Sequence, residues 1–89
     1  MAVSTIPKIQ APFQDLSSGD LDDLKGVDKT GFYYIRTGVA HAPQDWIWCL
    51  VIGGIGTVQL CFSQNKIFER AYTGSPIAWT EWKHYIPTN

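Results

Sequence analysis

Apolar and polar positions alternate with a period of two over much of the chain after residue 30. Residues 31–36 (GFYYIR) set Phe32 and Tyr34 on one side and Tyr33 and Ile35 on the other. Aromatic and β-branched side chains suit a pleated, half-buried surface, so this run predicts a strand. Residues 46–52 (WIWCLVI) are apolar on both sides: Trp46, Trp48, Leu50 and Ile52 against Ile47, Cys49 and Val51. A strand without a polar face is covered on both sides, and in so short a chain a partner chain is expected to cover one of them. Residues 57–63 place Val58, Leu60 and Phe62 opposite Thr57, Gln59, Cys61 and Ser63. Residues 66–72 place Ile67, Glu69 and Ala71 opposite Phe68, Arg70 and Tyr72. The glycines of residues 53–56 (GGIG) supply the positive φ of a hairpin turn, and Gln64-Asn65 predicts a second tight turn. Residues 73–76 (TGSP) break the last strand. Residues 78–85 are expected to form a short helix or turn with Trp79 and Trp82 on one face.

Upstream of these strands the pattern weakens. Residues 18–25 predict one turn of helix or a tight loop, with Asp20 as N-cap, Leu21 and Leu24 on one face, and Gly26 as its end. Residues 1–18 carry Pro7 and Pro12 and no periodicity. They read as an arm or linker that packs on a neighbouring subunit, joins a preceding shaft, or stays untied. Residues 19–89 form the domain. The expected fold is mainly β: a small antiparallel meander or sandwich with one or two short helical turns.

Composition narrows the chemistry. A chain of 89 residues predicts one domain with a small core, for which oligomerisation is a common remedy. Seven basic and eight acidic residues nearly cancel and form no run, so no nucleic-acid partner is expected. The longest apolar run, residues 47–52, is too short to cross a bilayer, and the first residues lack the apolar stretch of an export signal. Membrane insertion is not expected. Cys49 and Cys61 lack metal-ligand spacing, and only His41 and His84 could join them, so neither a metal nor another cofactor is expected. The two cysteines are either small buried hydrophobes or, if their strands pair, a disulfide. The glycines of residues 53–56 lack the Lys and Ser/Thr that a phosphate-binding loop places at a helix start.

Catalytic arrangements find little support. His41, His84, Cys49 and the aspartates make triads only on paper, since a triad is defined by geometry. Asp22, Asp23, Asp45, Glu69 and Glu81 offer carboxylates for glycoside hydrolysis, but Asp22 and Asp23 suit a solvated turn. Catalysis also needs a shaped cleft that a small domain rarely builds, so a non-catalytic protein is expected. Arg70 either stacks on its strand neighbours Phe68 and Tyr72 or forks onto carbonyls or a carboxylate. An exposed aromatic face suits a sugar ring. Trp46, beside Asp45 at a loop–strand junction, is the best candidate, whereas Trp48 suits the core.

The order of these features resembles the knob domain of phage tail fibres and R-type pyocin fibres. The matching residues are Asp20, Leu21 and Leu24; Gly31, Phe32 and Tyr33; Gln59; Phe68 and Arg70; and Trp79 and Trp82. They span about three-quarters of the chain. The resemblance implies a trimeric β-rich knob, with Gly31, Gln59, Arg70, Trp79 and Trp82 defining the fold. It implies ligand contacts in the loops 37–45 and 74–77 and their borders, with His41, Gln44, Asp45, Trp46, Thr73 and Ser75 as candidates. It also implies a homotrimer in a phage virion, made in the bacterial cytoplasm, whose partners are other tail proteins and a bacterial surface polysaccharide. Attachment to a surface glycan is the leading function, and a structural connector of the tail or baseplate is the alternative. A small hydrolase of wall or capsule sugar, using Asp45 and Glu69, is a third.

Overall fold

The structure is a computed structural model and describes residues 13–86. Seven strands make one sheet: β1 (Gln14–Leu16), β2 (Gly31–Ile35), β3 (Ile47–Gly53), β4 (Thr57–Ser63), β5 (Lys66–Thr73), β6 (Ala78–Trp79) and β7 (Lys83–Tyr85). Strands β1 to β5 lie side by side in chain order, and β6 and β7 both pair with the far side of β5. Every pairing is antiparallel except β1 with β2. The fold is therefore mainly β, a meander in a single sheet. Two 3-10 turns, Leu21–Asp23 and Val27–Lys29, precede β2, and the first is capped by Asp20 as expected.

Three local expectations need correction. Residues 78–85 are not a helix: they form two short strands, Ala78–Trp79 and Lys83–Tyr85, with Trp82 on the link between them. Trp79 pairs with Tyr72, and His84 pairs with Phe68. The free edge of β5 offers unpaired backbone groups, and satisfying them outweighs the local preference for a turn. Trp46 does not begin a strand: its φ is 59°, and β3 starts one residue later. Residues 14–16, at the end of the segment read as an arm, form the edge strand, and the rest of that arm before Phe13 lies outside the described residues.

The sheet's two faces carry an inverted pattern. Tyr33, Ile35, Ile47, Cys49, Val51, Cys61 and Phe68 are buried on the inner face, where Leu21 also packs into the core. Thr57, Gln59 and Arg70 share that face and are buried with them. The opposite, outer face carries Phe32, Tyr34, Trp48, Leu50, Ile52, Val58, Leu60, Phe62 and Ile67, all of them half-buried or exposed. In β4 the polar-looking row is thus the inner one. It is chosen because polar groups on the connecting segments meet it. The Thr57 hydroxyl accepts the Gly26 N–H at 3.0 Å, and the Thr30 hydroxyl accepts the Gly53 N–H at 2.9 Å. Here the chain runs so close that a Cβ on Gly53 would collide with the Gly26 carbonyl. At the next hairpin, Asn65 takes the left-handed φ of 64° expected of it.

Candidate functional site

Gln59, at 0% exposure, is the hub of a polar network on the inner face. Its Nε2 donates to the Leu21 and Leu24 carbonyls at 2.8 and 3.0 Å, and its Oε1 accepts from Arg70 Nε at 2.9 Å. These bonds tie the Asp20-capped turn to the middle of the sheet. The Arg70 guanidinium lies 3.9 Å from the Trp79 ring centroid and 4.8 Å from that of Trp82. Arg70 Nη1 is 2.9 Å from Asp22 Oδ1, a contact of opposite charges. Burying a guanidinium is costly unless it is paired; two indole faces, a carboxylate and an amide supply most of that pairing, and Nη2 alone of its nitrogens is buried with no polar contact among the described residues. Both roles weighed for Arg70 are present, fork and stack. The stacking partners differ from the expected ones: they are Trp79 and Trp82, while Phe68 stacks on His84 at 4.3 Å. Strand pairing of β6 with β5 brings the indoles across, which spacing along β5 could not reveal.

The same network anchors the loop between β2 and β3. Trp82 Nε1 donates to the His41 carbonyl at 2.8 Å, and His41 Nδ1 donates to Asp20 Oδ1 at 2.7 Å. Asp22 Oδ2 lies 3.4 Å from the same nitrogen. The Asp22 N–H, first, and then His41 hold the Asp20 carboxyl below its ordinary value. The Asp20 hydrogen bond, with the charges of Asp22 and Asp20, raises the His41 imidazole above its own. Asp20, Asp22 and His41 have metal-ligand chemistry, with donor atoms within 4.8 Å of one another. However, Asp20 Oδ1 already accepts from Asp22 and His41, and the Arg70 cation stands against Asp22. The three residues are engaged as an ion-paired latch, which is a poor fit to a metal.

At the far end of that loop lies a different surface. Trp46 is 53% exposed and sits at φ 59°, a conformation that L residues with bulky side chains rarely adopt. The Arg36 guanidinium lies 5.9 Å from the Trp46 ring centroid and 6.0 Å from that of Tyr34. Arg36 forks onto Asp15 through Nε–Oδ1 at 2.7 Å and Nη2–Oδ2 at 2.9 Å. Those bonds hold the Asp15 carboxyl down and the Arg36 guanidinium up. Gln44 Oε1 accepts from Lys66 Nζ at 3.3 Å, and Asp45 is exposed beside it. The result is an open indole rimmed by a fixed cation, carboxylates and an amide. Such a surface can stack on an apolar ring face and hydrogen-bond to hydroxyls around it.

The six loop candidates do not converge. Gln44, Asp45 and Trp46 lie together at the β2–β3 loop. His41 is on the same loop but is turned into the latch. Thr73 and Ser75 sit at the opposite end of the sheet, because Tyr72 pairs with Thr57 beside the 53–56 turn. Asp45 and Glu69 are also apart, and Glu69 accepts from the Tyr85 hydroxyl at 3.1 Å. Asp15, Arg36 and Lys66 are contributors that sequence reasoning missed. The only signal for them was Arg36 falling two residues after Tyr34 on the same strand face. Cys49 and Cys61 stand directly opposite each other in β3 and β4, buried and as free thiols. The hydrogen bond to Cys49 and burial push the Cys61 thiol far up, so neither the spacing nor the chemistry marks it as a nucleophile. Compared with known proteins, the chain matches no family model, no curated protein and no solved structure.

Proposed function

We propose that this chain is a non-catalytic knob domain of a phage tail or tailocin fibre, acting as a homotrimer that attaches to a bacterial surface glycan. The observation that carries the reading is Trp46: an exposed indole in a left-handed backbone conformation, with Arg36 beside it and Gln44 and Asp45 preceding it. Strained backbone persists where surrounding structure over-determines it, and such positions cluster at ligand sites. The residues of the fibre-knob resemblance support the reading too. Buried Gln59 and Arg70 gather with half-buried Trp79 and Trp82 into one unit, and that unit anchors the loop leading to Trp46. In this reading the two C-terminal tryptophans hold the loop and Trp46 meets the sugar.

Binding of the purified chain to whole bacteria and to a glycan array tests this. A tryptophan at the centre of a contact is typically worth about 2 kcal/mol or more, so Trp46→Ala should weaken binding roughly thirtyfold. Trp46→Ala should keep the oligomer and the near-ultraviolet circular dichroism of the parent. Thr73→Ala, at the other end of the sheet, should bind as the parent does. Absence of binding to any cell or glycan would favour the structural connector instead. Binding that survives Trp46→Ala would move the site elsewhere.

A further inference from the structure

We infer that the outer face of the sheet is the surface on which a second copy of this chain packs. The face is laid out in cross-strand rows. Tyr34, Trp48, Phe62, Ile67 and Tyr85 are successive register partners across β2, β3, β4, β5 and β7. A second row runs Phe32, Leu50 and Leu60 to Glu69, and a third runs Ile52, Val58 and Ala71. Phe13 adds its ring edge-on to Trp48, with centroids 4.6 Å apart. Next to Tyr85 the face opens into a groove of about 530 Å³ lined by Phe62, Lys66, Ile67 and Ile86.

Area and charge argue for the occupant. Trp48 is 37%, Phe62 38%, Ile67 48% and Ile52 49% exposed, and Phe13, Tyr85 and Ile86 are exposed to a similar or greater degree. With about 150–250 Å² for each full aromatic side chain and less for isoleucine, these seven leave roughly 500 Å² of apolar surface open, before the half-buried residues between them are added. The largest apolar patch of an ordinary monomer is about 300–600 Å², and a stable pair needs about 800 Å² per partner including its polar rim. At roughly 500 Å² from those seven residues, this face already lies in the upper half of that range. Its charges are paired. Glu69 lies in register with Lys83 and accepts from Tyr85, and at the β1 edge Asp15, the register partner of Tyr34, is held by Arg36. A chain of net charge −1 has little self-repulsion to oppose association. The inner face cannot serve, since Leu21 and the network around Gln59 already cover it.

The inference deepens the trimer of the proposed function, yet it requires only that the copies meet through this face. Sedimentation of the full chain should show an oligomer. Ile67→Glu and Ile52→Glu replace half-exposed positions that a folded monomer can solvate, so each should give a folded monomer with the parent's near-ultraviolet circular dichroism. Ile55→Glu, on the fully exposed turn, should leave the oligomer intact. A dimer in place of a trimer would remove the trimeric fibre reading and keep this interface. A monomeric parent chain, or an oligomer indifferent to both face substitutions, would overturn it. Either result would assign the face to another occupant, such as residues 1–12 or a different tail protein.

Discussion

Replacing Gln59 by leucine isolates the energetic core of the fold. Leucine is close in size but supplies neither the donor to the Leu21 and Leu24 carbonyls nor the acceptor for Arg70 Nε. The Leu21 carbonyl keeps a partner, because it also accepts the Leu24 N–H at 3.1 Å. Two groups are therefore stranded: the Leu24 carbonyl and the Nε of a buried guanidinium. Each costs about 1–3 kcal/mol when left without a partner, giving about 4 kcal/mol. The added apolar burial of leucine offsets about 1 kcal/mol. The net loss is about 3 kcal/mol. A chain of this length has roughly 4–13 kcal/mol in all, so this is a large fraction. Thermal unfolding followed by near-ultraviolet circular dichroism, at one fixed protomer concentration, should show a midpoint lowered by roughly 12–24 °C. The double variant Gln59→Leu/Arg70→Leu should lose less than the sum of the single variants by at least about 1 kcal/mol, since it leaves neither the Arg70 Nε nor the Gln59 Oε1 without its partner. A loss under about 0.5 kcal/mol for Gln59→Leu, or additivity in the cycle, would refute the hub.

Two further outcomes follow from local geometry. Gly53→Ala drives a Cβ into the Gly26 carbonyl and should cost about 1–3 kcal/mol, whereas Gly54→Ala, whose Cβ meets only an ordinary contact, should stay within about 0.5 kcal/mol; urea unfolding compares them. The latch predicts a pH window. His41, raised by Asp20, contributes fully below its ordinary value and loses its contribution as pH rises through its folded value. Asp20, lowered by the Asp22 N–H and by His41, contributes above its ordinary value and loses it as pH falls through its folded value. The loop should thus be held best at about pH 4–6.5. Hydrogen exchange in residues 37–45, corrected for intrinsic rates, should be more protected at about pH 5 than at about pH 8. His41→Ala should erase that difference, and equal protection in the parent would count against the latch.

Much of the sheet is legible in the amino-acid sequence, because strands β2 to β5 are rich in aromatic and β-branched residues and turn residues separate β3, β4 and β5; Asn65 takes the expected positive φ, whereas the glycines of residues 53–56 do not, so that hairpin turns without it. What escapes is whatever depends on partners distant in sequence. β1 is three residues without alternation, and its parallel pairing with β2 is specified across the chain. β6 and β7 exist because β5 has a free edge. The inner side of β4 could not be told from alternation, which marks Val58, Leu60 and Phe62 as the apolar row; Gln59 and Thr57 are inward because distant carbonyl and N–H groups need them. For the candidate site, Trp46 was legible as an exposed aromatic at a loop junction. Asp15 and Arg36 were not, since their fork joins two segments 21 residues apart.

The packing of Arg70 against Trp79 and Trp82 also bears on the order of folding. Gln59 can reach Arg70 once β4 and β5 are paired, but the Trp79 and Trp82 rings reach the guanidinium only when the last strands arrive. The Trp82–His41 bond joins residues 41 apart in sequence, and the Asp22–Arg70 contact joins residues farther apart still; such closures come late because their entropy is lost before they are rewarded. A nascent chain that has emerged only as far as β5 therefore carries a cation that lacks its two indole neighbours. The Trp79–Trp82 segment is therefore expected to complete this part of the core only after β5 is in register, because the Trp79 indole reaches Arg70 through the β5–β6 pairing.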